Sequence, residues 1–326
     1  MIVRKLRGVG RVLACVLLAS GATAAHAQNY PTKPVRIVVP FVAGGAPDLL
    51  ARMVGQHLSG VFGQQFIVEN RSGASGILGA DLVSKSPADG HTLLLSDIST
   101  LVINPNLFAK LPYNSPKDFA PVSLALVIPL YVVAQPSLQF NTLPELVALA
   151  KAQPGKLTYG SSGIGSIHHI TMESLKAELG LDIVHVPYKG VGQSVPAFRG
   201  GEISLLISAL TGASPLVKSG HAKLLAVTSL RRDPQSPHVA PVSDLIPGFD
   251  FSSEMGIAAP AGTPPAIVSR LSSEIAKALK QPDVVARFTT LGGVLIGSTP
   301  EAYAENIHRH LKTFSKAVKA SGAKVD

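Results

Sequence analysis

The sequence predicts an α/β fold: two α/β lobes joined by two hinge strands. Three observations predict it. Short β-branched runs alternate with helical patterns from end to end. The junctions from strand to helix repeatedly carry glycines and hydroxyls. Two long extended stretches, 121–135 and 248–260, stand where a chain would leave one lobe and later return to it, so that the terminal helices complete the first lobe. No internal repeat or low-complexity linker cuts the chain of 326 residues into independent pieces.

In chain order, the first segment is not part of the fold. A basic start, MIVRKLRGVGR, precedes an apolar run too short to span a membrane as a helix, and Ala25-His26-Ala27 is a small-x-small cleavage site. Residues 1–27 therefore read as a secretory signal peptide, with the mature chain starting at Gln28 and a periplasmic location. The single cysteine, Cys15, lies inside that segment, so neither a disulfide nor thiol chemistry is expected afterwards. Arg4, Lys5, Arg7 and Arg11 account for four of the nine excess positive charges. The remainder is spread out, and no Lys/Arg run is interleaved with aromatics, which excludes nucleic acid as a partner. A small anionic ligand suits this charge. A monomer without cofactor or metal is expected.

Strands are expected at VRIVVP from 35, FIVEN from 66, TLLLSD from 92, KLTYG from 156, IVHVP from 183, ISLLIS from 203, KLLAVTS from 223 and MGIAAP from 255, in mainly parallel sheets. The first strand runs into PFVAGGAPD, where Gly44, Gly45, Ala46, Pro47 and Asp48 form a turn and a helix start. Exposed amides there suit a carboxylate or phosphate, because orphan N–H groups and the helix dipole both favour negative charge. ENRSGASGILGAD repeats the arrangement through Ser75. Thr142-Leu-Pro-Glu145 is a capping box, and helices are expected to open at Thr263-Pro264 and Thr299-Pro300.

YGSSGIGSIHH repeats the arrangement once more, with Ser161, Ser162, Gly163 and Gly165 in the loop and Ser166 capping the following helix. Three such loops suggest one cleft beyond the carboxyl ends of the strands. In VPYKGVG, Tyr188 and Lys189 follow a strand and could close over an anionic or planar ligand; the alternative is a half-buried tyrosine and a solvated lysine.

Enzyme patterns fit less well. Gly160-Ser161-Ser162-Gly163-Ile164 has isoleucine where a nucleophile elbow needs its last glycine, and neither a dinucleotide fingerprint nor a Walker motif is present. His168 and His169 point to different faces, and His169 with Glu173 offers two ligands where a metal needs three or four. The remaining enzyme reading is a secreted hydrolase using Ser162 or Ser166 with His168. A third reading is an interaction protein with a vestigial cleft.

Taken together, YPTKP, PFVAGGAPDLLAR, ENRSGASGILGA, KSPADGHTLL, INPNLF, YGSSGIGSIHH, HVPYKGVG, KLLAVTSLRR and APAGTPPAIVSRL resemble the Bug family of periplasmic solute receptors, the binding component of tripartite tricarboxylate transporters. The resemblance runs from about Tyr30 to the C-terminus. It implies a type II periplasmic-binding-protein fold closing on a small carboxylate held by amides, hydroxyls and waters. Lobe 1 would comprise 28–127 and 254–326, and lobe 2 residues 128–253. The implied ligand residues are Phe41, Gly44, Gly45, Ala46, Pro47, Asp48, Ala74, Ser75, Ser96 and Asp97 from lobe 1. From lobe 2 they are Ser161, Ser162, Gly163, Ser166, His168, Tyr188, Lys189 and Gly190. Implied partners are a small organic acid and the membrane components of such a transporter, or a sensor.

This chain departs from the family pattern at three places. Ala46 and Pro47 stand where a hydroxyl residue is common, Ser253, Glu254 and Met255 where many members carry Trp, and Asp97 where small or hydroxyl residues are frequent. Asp97 would either repel an anion or receive a ligand amine.

Overall fold

The computed structural model describes residues 30–323, so the expected signal peptide lies outside the described residues. In chain order the elements are β1 Val35–Val39, α1 Ala46–Phe62, β2 Phe66–Asn70, α2 Ile77–Ser84, β3 Thr92–Asp97, α3 Asn104–Leu107, α4 Ser115–Asp118, β4 Phe119–Ile128 and β5 Leu130–Ala134. There follow α5 Leu143–Ala152, β6 Thr158–Ser161, α6 Ile167–Leu179, β7 Val184–Pro187, α7 Val191–Arg199, β8 Leu205–Ala209, α8 Leu210–Lys218 and β9 Lys223–Val227. The chain closes with β10 Ser253–Pro260, α9 Pro265–Ala278, α10 Pro282–Thr290, β11 Val294–Leu295 and α11 Pro300–Ser321.

Two sheets result, ordered β11-β4-β10-β3-β1-β2 and β7-β6-β8-β5-β9. The expected crossings are the strands that change sheet. The stretch 121–135 is two strands, because Pro129 has no N–H to continue a ladder: β4 ends in the first sheet at Ile128 and β5 starts in the second at Leu130. The return is β10, in the middle of the first sheet between β3 and β4.

The expectation of mainly parallel sheets needs correction. β1 pairs parallel with β2 and β3, and β6 with β7 and β8, but every pairing of β4, β5 and β10 is antiparallel. The reason lies in the crossings. A strand that arrives from the other lobe needs no helix to return it, so antiparallel pairing is open to it.

Local signals hold the helices in register. At α5 the Thr142 hydroxyl accepts from the Glu145 amide while the Glu145 carboxylate accepts from the amides of Asn141 and Thr142. Thr299 caps α11 through the Ala302 amide, whereas Thr263 donates instead to the Pro260 carbonyl and α9 starts two residues later.

One apolar core runs through both sheets. Val38 and Leu94 of the first belong to the same buried cluster as Leu130, Tyr159 and Leu205 of the second, joined by Ile98 after β3, Ile170 of α6, and Tyr303, Ile307 and Phe314 of α11. At the start of β10, buried Glu254 accepts from the Asn306 amide group and pairs with His310 Nε2 at 3.1 Å, which ties α11 to the returning strand.

Candidate functional site

The Phe41–Asp48 loop is shaped by one buried carboxylate. Asp48 accepts the Gly44 amide at 2.9 Å, Arg52 at 3.0 and 2.9 Å, and the Asn70 side chain at 3.0 Å, and Asn70 also donates to the Phe41 carbonyl. The Arg52 bond holds the carboxyl below its ordinary range. With its acceptor sites engaged, the Asp48 side chain shapes the loop from inside. What the loop offers outward are the amides of Gly45, Ala46 and Asp48, which open α1 without intrahelical acceptors.

The second loop is strained. Gly73, Ala74, Ser75 and Gly76 all have positive φ, at 133°, 46°, 53° and 85°, and two of them are not glycine. The Ser75 carbonyl is tied to Asn104 Nδ2 at 2.8 Å, and a Cβ at Gly76 would lie 2.8 Å from Thr100 Oγ1. After β3 the chain passes through a π turn, Ser99–Ile103, a form frequent at functional sites. Within this corner Ser96 Oγ and Thr100 Oγ1 are buried and have no hydrogen-bond partner. Asp97 accepts the Ser99 amide at 3.0 Å, so its nearest role is to cap that turn. Burial pushes its carboxyl up to about 6.

In the other sheet three histidines fix the Ser161–Gly165 loop. Ser162 Oγ lies 2.7 Å from His168 Nδ1, Ser161 Oγ lies 2.7 Å from His185 Nε2, and the Gly165 amide donates to His169 Nδ1 at 3.2 Å. Desolvation lowers all three imidazoles, His168 and His185 to about 4, so they stand neutral at pH 7. Ser166 caps α6 through the His169 amide, as expected from the sequence. The Tyr188–Gly190 turn is laid against this loop, its Tyr188 amide donating to the Ser161 carbonyl at 3.2 Å. Tyr188 is half-buried and Lys189 exposed.

The two groups of loops flank α3. Asn104 at its start holds Ser75, and Leu107 at its end packs so closely on Gly165 that a Cβ there would overlap it. Among the sequence candidates, Ser75 is tied to α3 through Asn104, and Tyr188 to the loop that Gly165 sets against Leu107, while Asp48, Ser161 and Ser166 use their side chains to build the loops. Thr100, Asn104, His169 and His185 were missed as site residues. Only a prior assignment of the π turn and of the β6–β7 register, which sets Tyr159 beside His185, would have found them.

Ser162 and His168 form a close pair, but among the described residues no carboxylate is hydrogen-bonded to His168. A nucleophile's base needs a third group to orient it. The hydrolase reading therefore lacks its geometry.

Two α/β sheets exchanging chain through two crossings define a periplasmic solute-binding protein of type II fold. The sequence model of the family described as "Tripartite tricarboxylate transporter family receptor" matches residues 50–320, and the chain belongs to that family. Protein BugT of Bordetella pertussis is 34% identical over 314 residues, covering 95% of this chain and 96% of that one. Rpa4515 of R. palustris, solved with adipate, is similar at 32% identity and a TM-score of 0.75, covering 91% of this chain and 100% of that one. MatC from Rhodopseudomonas palustris, with bound malate, is similar at 30% identity and a TM-score of 0.72, covering 89% and 100%. Among the described residues no helix is long and apolar enough to cross a membrane.

Proposed function

We propose that the protein captures a small di- or tricarboxylate, or another organic acid, between the two groups of loops and delivers it to the membrane components of a tripartite tricarboxylate transporter. Residues 1–27 would direct export as a signal peptide, and the mature chain would act in the periplasm as a monomer without catalysis. Lobe 1 would comprise 28–127 and 254–326, lobe 2 residues 128–253. The observation that carries the reading is a set of unpartnered donors in the loops of the first sheet, the amides opening α1 and the buried hydroxyls of Ser96 and Thr100, with the Ser161–Gly165 loop of the other sheet meeting α3 at Leu107. Such a site favours negative charge without a cationic clamp. The adipate and malate held by the two R. palustris proteins support the ligand class.

Asp97 narrows the choice. Its carboxyl lies beside this donor set and would favour a ligand that also carries a hydroxyl or ammonium group. Calorimetric titration of residues 28–326, unfolded and refolded to strip carried-over ligand, against adipate, malate, citrate and aspartate tests the proposal. Binding of at least one acid is expected. Heat signals at baseline for all four, with an unchanged melting temperature, would refute it.

A further inference from the structure

The Ser161–Gly165 loop rests on a stack of rings that ligand capture by itself does not require. Tyr159, His185 and His169 lie face to face, with centroids 4.8 Å and then 4.1 Å apart and interplanar angles of 18° and 20°. We propose that His169 and His185 are positioning residues that hold this loop in its binding shape only while both rings are uncharged, so that the protein loses ligand on acidification. The inference rests on the carboxylate reading above.

The Gly165 hydrogen bond requires a neutral ring at His169, and the close stacking carries the requirement to His185. The Gly165 amide donates to His169 Nδ1, so that nitrogen must carry a lone pair and the ring proton sits on Nε2. A second proton would set two donors against each other and release Gly165. That glycine holds the loop in a left-handed turn, φ 75°, against Leu107 of the first lobe. His185 Nε2 meets Ser161 Oγ, and the Ser161 carbonyl receives Tyr188, so both second-lobe segments hang on the pair. Two stacked rings this close cannot both be charged.

The surroundings offer little compensation: Glu173 favours charged rings, Lys176 opposes them, and desolvation outweighs both. The charged groups facing the stack are Glu173 and Lys176 of α6, with the Tyr159 phenol of β6. Glu173 is engaged by the Tyr159 hydroxyl and by Lys176, both at 2.6 Å, and would have to break those bonds to receive an imidazolium. β8, on the far side of β6, contributes apolar Leu205 and Leu206. On α11, Lys312 and Lys316 line a groove beside Ser174 and Glu178. Burial lowers both imidazoles, as a site built for neutral rings requires.

The test has two arms. Long-range proton–nitrogen NMR on the mature protein without ligand should find His169 as the Nε2–H tautomer. Amide exchange in 161–165 should accelerate as the pair titrates, His185 near pH 4 and His169 below the ordinary imidazole value. A protonated Nδ1 at pH 7, or loop exchange indifferent to that titration, overturns the proposal. The second arm compares adipate and malate affinity at pH 7.5 and pH 4 in the wild type and in a His169→Asn, His185→Gln double variant, whose side-chain amides can take over the bonds to Gly165 and Ser161 without titrating. Titration of the acid itself and of Asp97 is common to both proteins and cancels. With His185 about half-charged near pH 4, the wild type should lose at least about twofold more affinity than the variant; equal losses overturn the proposal. If neither acid binds at either pH, the carboxylate reading fails, and the ligand-free arm still decides the role of the pair.

Discussion

Replacing Asp48 by alanine tests how the first loop is built. The substitution removes the acceptor of the Gly44 amide, of two Arg52 nitrogens and of the Asn70 amide. Charged hydrogen bonds are worth roughly 1.5–3 kcal/mol each when buried. Gly44 is exposed and the Arg52 side chain is 53% exposed, so water replaces most of what they lose and only the Asn70 bond counts in full. Loss of a negative charge in the first turn of α1 adds about 0.5 kcal/mol. The sum is about 2–3.5 kcal/mol, or about 4–7 °C in Tm for a chain of this size. The depressed carboxyl stabilises the fold above the ordinary carboxylate value near pH 4, and that contribution fades as pH falls through the lower folded value. Differential scanning calorimetry from pH 3 to pH 8 should therefore give a constant gap between variant and wild type above about pH 5, narrowing below pH 4. Carboxylate affinity should fall about tenfold as the amides of 45–48 lose their orientation. A Tm within about 1 °C of wild type at pH 7 would refute the reasoning.

Four further outcomes are expected. Gly165→Ala introduces a Cβ that overlaps Leu107 at a positive φ, so stability should fall by about 1–3 kcal/mol and carboxylate binding with it; calorimetry and titration of one preparation check both. Asp97→Asn removes a carboxyl whose folded value of about 6 lies above the ordinary one, so its cost grows as pH rises through that value. The variant should match wild type near pH 4 and exceed it by about 1–3 kcal/mol at pH 8 in urea unfolding; equal midpoints at pH 8 would contradict the assignment. His168 and His185, lowered to about 4, act in the opposite sense: they favour the fold fully above about pH 6.5 and progressively less toward pH 4, which His168→Asn should lessen in the same urea series. Glu254→Ala, which leaves Asn306 and buried His310 without their acceptor, should cost about 2–4 kcal/mol of thermal stability while leaving the loop residues in place.

Much of the fold is legible in the sequence because its signals are local. The buried run of β1, the Gly-Gly turn into α1, the Thr142–Glu145 box and the Thr299 cap depend on neighbours within four residues, and each forms as its spacing predicts. The loops of the candidate site are legible for the same reason. What each side chain does there is set at long range: Asp48 is consumed by Asn70, Ser161 by His185, and Thr100 is brought beside Gly76 only by the packing of the π turn. The antiparallel pairings likewise follow from β4, β5 and β10 changing sheets, which no window of a dozen residues records.

The shared core makes the two lobes one cooperative unit. Phe314, fully buried on the C-terminal helix, packs in the same cluster as Ile170 and Leu175 of α6, although their nearest strands belong to different sheets. An excised second lobe would expose that face of α6 to water, so it should not persist alone, and heating the intact chain should melt both sheets in a single calorimetric peak. Any hinge motion in such a molecule would have to slide α11 over α6, and its amplitude would be limited by how far two packed helices can shear before their side chains lose register.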